Sequence, residues 1–212
     1  MLRTTLLALL LLVAGQTAMA IEEPDYELLA KTEDFEIRRY APYIFAEVDV
    51  TGSTSAAGNS AFRILAGYIF GKNIERQTMS MTAPVESRAA SSVRMNMTAP
   101  VESRPGSDGT HTYAFVMERK YTLDTLPKPL DSRIRIATRP SRIMAVRRYS
   151  GGWSEGDYQQ QRAALLAALD DASIDVVGEP AWARYDSPLK PWFLRRNEVM
   201  IEIEWRDGVT AT

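Results

Sequence analysis

The chain has no cysteine and a single histidine, His111, in 212 residues. Without thiols there is no disulfide framework, no thiolate metal site and no lipidated N-terminal cysteine. One histidine also leaves little for imidazole chemistry. His111 stands between Thr110 and Thr112 after a glycine-rich loop, a place that reads as a solvated strand start. A helical His-Glu zinc pair, a nucleophile elbow and a glycine-rich phosphate loop are missing too. Acid–base work would rest on carboxylates alone, so the expectation is a protein that is not an enzyme. Charge excess is absent as well: 25 basic residues meet 27 acidic ones, for a net charge of −2. That balance argues against a nucleic-acid surface or a polybasic membrane anchor.

Long apolar runs are confined to the start of the chain. Arg3, the short apolar stretch Leu6–Ala14 and the small-x-small triplet Ala18-Met19-Ala20 have the form of a cleavable export signal. Cleavage after Ala20 would leave residues 21–212 as one domain in the periplasm or outside the cell. No later run is long enough for a spanning helix, so no stable membrane insertion is expected after cleavage.

The remaining sequence alternates between strand and helix periods. Tyr26–Lys31 and Phe35–Tyr40 read as strands around the Thr32-Glu33-Asp34 turn, and Tyr43–Thr51 as a third, with Ile44, Ala46, Val48 and Val50 on one face. From about Ser55 to Phe70 the spacing becomes helical through Phe62, Leu65, Ala66 and Ile69, with N-cap candidates at Ser53, Thr54 and Ser55 and a stop at Gly71. Thr112–Arg119 is a strand, and Leu126–Leu130, with Pro127 and Pro129, a linker. Arg133–Thr138 and Ile143–Tyr149 form an expected strand pair broken at Pro140. A second helix spans about Glu155–Asp171, burying Tyr158, Leu165, Leu166 and Leu169. The last strands are about Ala181–Tyr185 and Glu198–Trp205. Strands, a helix and more strands thus occur twice, in halves of about 26–125 and 131–206. Ile44, Ala46 and Gly52 precede Ile143, Ala145 and Gly151 by 99 residues, with Pro42 and Pro140 one residue off that register. The predicted class is α+β: a distorted antiparallel barrel with two flanking helices, built from a ββαββ-type pseudo-repeat.

One stretch is written twice. Residues 79–88 (Met-Ser-Met-Thr-Ala-Pro-Val-Glu-Ser-Arg) and 95–104 differ only where Ser80 stands against Asn96. Period-two alternation would turn Met79 with Met81, and Met95 with Met97, to one face of each of two strands. Four thioethers side by side would suit Cu(I), but methionines on the inner face of a strand also fill core gaps or line a pocket.

These stretches together resemble the SOUL/haem-binding protein family. The likeness is carried by Tyr26–Tyr40, Phe62–Asn73, both Met-Thr-Ala-Pro-Val copies and Tyr185–Val199, with its Lys-Pro-Trp-Phe-Leu-Arg-Arg-Asn-Glu-Val. The resemblance implies a distorted barrel with two helices, and non-covalent binding of haem or another tetrapyrrole in a hydrophobic cleft beside the first helix. It also implies that tetrapyrrole can be held without an axial histidine; Tyr40, Tyr43, Tyr68 and the methionines are the other axial candidates. Where family members can carry basic residues for the propionates, this chain has Asn59 and Gly67. The expected cofactor-binding residues are Phe62, Leu65, Ile69, Met79 and Met81 as lining, with Arg63, Lys72 or Arg76 meeting carboxylates. Arg195-Arg196-Asn197-Glu198 could hold an anionic ligand, but reads chiefly as a set of ion pairs with Asp186, Glu198 or Glu202 that pins the last strand. The expected function is carriage or buffering of haem in the cell envelope. The alternatives are Cu(I) handling on the twin methionine strands and a cleft that binds a protein segment.

Overall fold

The computed structural model describes residues 22–75, 91–106 and 109–205. In chain order its elements are β1 (Tyr26–Lys31), β2 (Glu36–Tyr40), β3 (Tyr43–Thr51), α1 (Thr54–Ile69), β4 (Asn73–Ile74), β5 (Val101–Pro105), β6 (Thr110–Val116), β7 (Lys128–Pro129), β8 (Arg135–Arg139), β9 (Arg142–Tyr149), α2 (Glu155–Asp171), β10 (Val176–Arg184) and β11 (Asn197–Ile203), with a 3-10 turn at Trp192–Leu194 before the last strand. Nine strands make one strongly curled antiparallel sheet in the order β1-β2-β9-β11-β10-β5-β6-β3-β8, and both helices pack on one of its faces. This is the α+β distorted barrel expected from the alternation of periods.

Without β1, the strand order reads the same from either end once β2, β3, β5 and β6 are exchanged for β8, β9, β10 and β11. The register repeats too. Glu36 faces Val146 across β2–β9, and Arg135 faces Glu47 across β8–β3, the same pairing displaced by 99 residues. The sheet is therefore two four-strand blocks, each taking its outer strand from the other half of the chain. This corrects the expected pairing of Arg133–Thr138 with Ile143–Tyr149: β8 pairs β3, while β9 pairs β2 and β11. Pro140 donates no ladder bond and turns the chain out of one block and into the other. The Leu126–Leu130 linker also carries a little structure, because β7 pairs with β4 just after α1.

The first copy of the repeated motif lies outside the described residues. In the second copy only Val101 onward is strand. The six residues before it are held by separate bonds: Met95 N–H to the Ile69 carbonyl (2.8 Å), Ala99 N–H to the Glu22 carbonyl (2.9 Å), and the Thr98 hydroxyl to the Val116 carbonyl. Alternation survives without a ladder, since Met95 is buried in the core under α1 and Asn96 is exposed, its amide donating to Glu118 at 2.7 Å.

Each helix covers one block. The inner stripe of α1 is Ala57, Ala61, Leu65, Tyr68 and Ile69, packed on Ala46, Val48, Tyr113 and Phe115. Alanine at 57 and 61 lets the helix lie close to β3 and β6. Gly58 extends that approach, as a Cβ there would come within 3.2 Å of the Tyr113 hydroxyl. The chain leaves α1 through Gly71 at φ +114°, a backbone that side chains other than glycine rarely take. The helix α2 packs Tyr158, Leu165 and Leu169 on Ala145, Trp182, Val199 and Ile201. Its Ser154 cap accepts the Asp157 N–H at 3.1 Å.

The face away from the helices is partly ionic. Glu198 is fully buried and accepts two bonds from Arg38 (3.0 and 3.2 Å), two from Arg196 (3.0 and 2.9 Å) and one from the Tyr185 hydroxyl (2.6 Å). Arg38 in turn donates to Glu36 and to the Tyr40 hydroxyl. Because every oxygen is bonded, the pair is tolerated; removing one member strands the others out of water.

Glu198→Ala is accordingly expected to cost about 3–5 kcal/mol in urea unfolding, as breaking a buried pair usually does, whereas Glu27→Ala at the exposed Arg39 pair is expected to cost less than about 1 kcal/mol. The less buried carboxylates govern the acid limb. Burial alone would raise the Glu36 and Glu118 carboxyls. Hydrogen bonds from Lys31 and Arg38 to Glu36, and from Asn96 and Lys120 to Glu118, outweigh it and hold both below the ordinary value of 4.5. Groups depressed in the fold stabilise it above their unfolded pKa, and that contribution disappears as pH falls through the folded pKa. The thermal midpoint is expected to stay level from pH 7 to about 5 and to fall below about 4.5, with a shallower acid slope in Glu118→Gln.

Candidate functional site

The helix α1 presents two flanks beside its core stripe. On one, Thr54, Ser55, Gly58, Asn59 and Phe62 recur at helical spacing and form one wall of a cleft of about 230 Å³. Val101, Tyr113 and Phe115 of β5 and β6 make its floor, and Trp153, Arg184, Asp186 and Pro188 its far wall. Phe62, 44% exposed, meets Phe115 edge-on with ring centroids 5.7 Å apart. The Tyr113 hydroxyl donates to the Thr54 carbonyl at 3.1 Å, tying the floor to the first turn of α1. Apart from Arg184 and Asp186, the walls are aromatic, small or uncharged.

The cleft lies over the join between the two blocks. There β5 and β10 pair through Trp182↔Ser103, Ala183↔Glu102 and Arg184↔Val101, and the last of these pairs lines the cleft on both sides. Arg184 is held in a stack. Its guanidinium carbon lies 3.9 Å from the Trp182 ring centroid and 5.4 Å from that of Trp153. Trp182 stacks on Tyr158 at 5.0 Å, and Arg195 covers Trp153 at 4.3 Å. The Trp153 indole N–H donates to Asn197 Oδ1 at 2.8 Å, which fixes the outer ring. Burial pulls the Arg184 pKa below the usual arginine value. Its Nε is buried with no hydrogen-bond partner, and among the described residues no carboxylate is ion-paired with it.

Arg195 also donates from Nε to the Lys190 carbonyl (2.8 Å) and from Nη2 to the Pro188 carbonyl (2.7 Å). It thereby holds the loop 187–194, which displays Leu189, Trp192, Phe193 and Leu194 as exposed apolar side chains.

The expected site residues are distributed as follows. Phe62 lines the cleft. Leu65 and Ile69 are buried in the core beneath α1, with no surface left for a ligand. Arg63 and Lys72 face the opposite flank of α1, where with Ser60, Asp131 and Arg133 they surround a separate, polar concavity of about 240 Å³. Arg76, Met79 and Met81 lie outside the described residues. Asn59 lines the cleft, whereas Gly67 lies against the Lys72 side chain. Of the axial candidates, Tyr40 and Tyr43 point to the ionic face and Tyr68 donates to the Pro127 carbonyl. His111 is half-buried on β6 and is not a cleft residue. Arg196 pins the last strand through Glu198 and Glu23, and Asp186 accepts the Arg196 N–H.

Sequence reasoning missed Arg184 and Trp153. A usable signal was there: Trp182 and Arg184 stand two apart in an apolar strand, which puts a cation on the same face as a buried ring.

Residues 21–202 match the family described as SOUL heme-binding protein. Heme-binding protein 2 of Homo sapiens is 27% identical over 201 residues, covering 88% of this chain and 92% of that protein. Its counterpart in Mus musculus is 26% identical over 202 residues, covering 89% and 93%. Among solved structures, the EcmrR C-terminal domain superposes with a TM-score of 0.57 at 7% identity, covering 85% of this chain and 99% of that one, a likeness of fold alone. With a family match across both blocks and the cleft between them, the chain belongs to the SOUL heme-binding protein family.

Proposed function

We propose that this protein binds haem or a related tetrapyrrole non-covalently in the cleft between α1 and the sheet, as cargo to be carried or buffered. Family membership supports the ligand class. The observation that supports the location is the aromatic cleft at the join of the two blocks, walled by Phe62, Tyr113, Phe115 and Trp153. A flat macrocycle offers π-faces to such walls, and offset or edge-on aromatic pairs add roughly 0.5–1.5 kcal/mol each beyond burial. At about 230 Å³ the cleft is smaller than the roughly 300–1,000 Å³ of pockets that engulf a drug-sized ligand. A tetrapyrrole would be gripped along part of its surface, with the rest outside the cleft.

The lining donors suit the macrocycle more than its iron. Histidine and methionine are absent from the described residues that line the cleft, and the lining Tyr113 gives its hydroxyl to the Thr54 carbonyl, so binding is assigned to the ring face and its carboxylates. The export signal read in the first 20 residues makes the cell envelope the proposed place of action. No reaction step is assigned, and the reading is one of binding.

Titration of the mature protein with hemin is expected to give a Soret shift that saturates near one equivalent. Iron-free protoporphyrin IX is expected to bind within about tenfold of hemin, and dependence on iron would contradict the assignment to the ring face. Gly58→Leu should plug the cleft. The substitution gains helix propensity but puts a Cβ 3.2 Å from the Tyr113 hydroxyl, so the thermal midpoint should fall somewhat while binding weakens by at least about tenfold. Unchanged affinity in a folded Gly58→Leu protein would move the site elsewhere.

A further inference from the structure

We infer that Arg184 sets the ligand specificity of the cleft by taking a single carboxylate from a ligand with a flat, apolar body. The tetrapyrrole reading supplies the identity of that body, but the carboxylate requirement stands on Arg184 alone.

A guanidinium taken out of water needs a counter-charge or a full set of acceptors. Elsewhere a counter-charge is at hand: Arg38 and Arg196 share Glu198, and Arg139 and Arg142, though each keeps a buried nitrogen without a hydrogen bond, lie 3.7 and 3.5 Å from Glu102. Arg184 is the exception in the cleft. The carboxylates around it are already engaged. Glu155 accepts from the Thr54 hydroxyl at 3.0 Å and from Gln159 at 2.7 Å. Asp186 accepts from Lys190 at 2.7 Å and from the Arg196 N–H at 2.5 Å. The other neighbours, Tyr113 and Tyr149, carry neutral phenols whose pKa burial pushes upward.

The rings of Trp182 and Trp153 lie 3.9 and 5.4 Å from the guanidinium carbon and Nε is buried, so the edge that carries the two terminal nitrogens is what remains to a ligand in the cleft. That edge is a planar fork suited to two parallel bonds to a carboxylate. Both rings are fixed from behind, Trp153 by Asn197 and Trp182 by Tyr158, so the fork is set before ligand arrives. Arg63, Lys72 and Arg133 cannot do this work, because they surround the concavity on the other flank of α1.

The test compares acids with their esters. Protoporphyrin IX and its dimethyl ester are titrated by tryptophan quenching, as are 1-pyrenebutyric acid and its methyl ester. Wild type should bind each acid on the order of 10- to 100-fold more tightly than its ester, the span expected of hydrogen bonds to a charged group. In Arg184→Met that preference should vanish while ester binding is kept, and Arg184→Lys should restore part of it. Should Arg184→Met fail to fold, the wild-type acid-to-ester ratio still decides. Equal binding of acid and ester by wild type, or no binding of either pair, overturns the inference, as does an acid preference that survives Arg184→Met. If the pyrene acid binds through Arg184 and no porphyrin binds, the carboxylate site stands and the tetrapyrrole reading falls.

Discussion

The pairing of β5 with β10 is the interaction on which the molecule's architecture turns. Each block of the sheet has its own helix and its own apolar cluster, and within the sheet three residue pairs make them continuous. Their exchange of outer strands gives a second tie, since β2 and β8 each bind the block built by the other half of the chain. Two helices that each cover their own block leave a gap above the join. That gap is the cleft, and the Arg184↔Val101 pair of the join contributes to its lining. The cleft is thus a consequence of how two half-sheets meet.

The two faces of the join carry different chemistry. Above it, toward the helices, lie rings and one uncompensated guanidinium. Below it, Glu102 accepts from the Tyr43 hydroxyl at 2.6 Å, and Glu198 is saturated by two arginines and a tyrosine. The contrast gives the orphaned Arg184 its meaning. On the ionic face Arg38, Arg139 and Arg142 each lie within 4 Å of a carboxylate, whereas Arg184 on the other face has no such partner among the described residues and lines the cleft.

Much of the fold is legible in local patterning. The alternation of Ile44, Ala46, Val48 and Val50 marks the face of β3 that meets α1, and the helical recurrence through Leu65 and Ile69 marks the stripe that meets it in return. The same recurrence misleads at the site. Apolar helical spacing identifies what is buried, so Leu65 and Ile69 belong to the core, while the cleft takes the next flank, with Gly58, Asn59 and Phe62. The strand partners of β8 and β9 are illegible because the exchange between halves depends on contacts about a hundred residues apart. Arg184 carries no motif around it. Its role comes from Trp153, some thirty residues earlier in the chain, and from Trp182 on its own strand.

The repeated Met-Thr-Ala-Pro-Val motif looks like a ligand set when read alone. In the second copy, Met95 is packed under α1 and Thr98 and Ala99 are bonded to backbone carbonyls, so this copy braces the underside of the helix whose other flank forms the cleft. The assignment of the cleft as the binding site is tested most directly by a ¹⁵N–¹H spectrum of the protein titrated with iron-free protoporphyrin IX. Shifts are predicted at Gly58, Asn59, Phe62, the Trp153 indole and Arg184 Nε, with Lys72 and Arg133 unmoved. Shifts centred on Arg63, Lys72 and Arg133, with Arg184 and Trp153 silent, would contradict it.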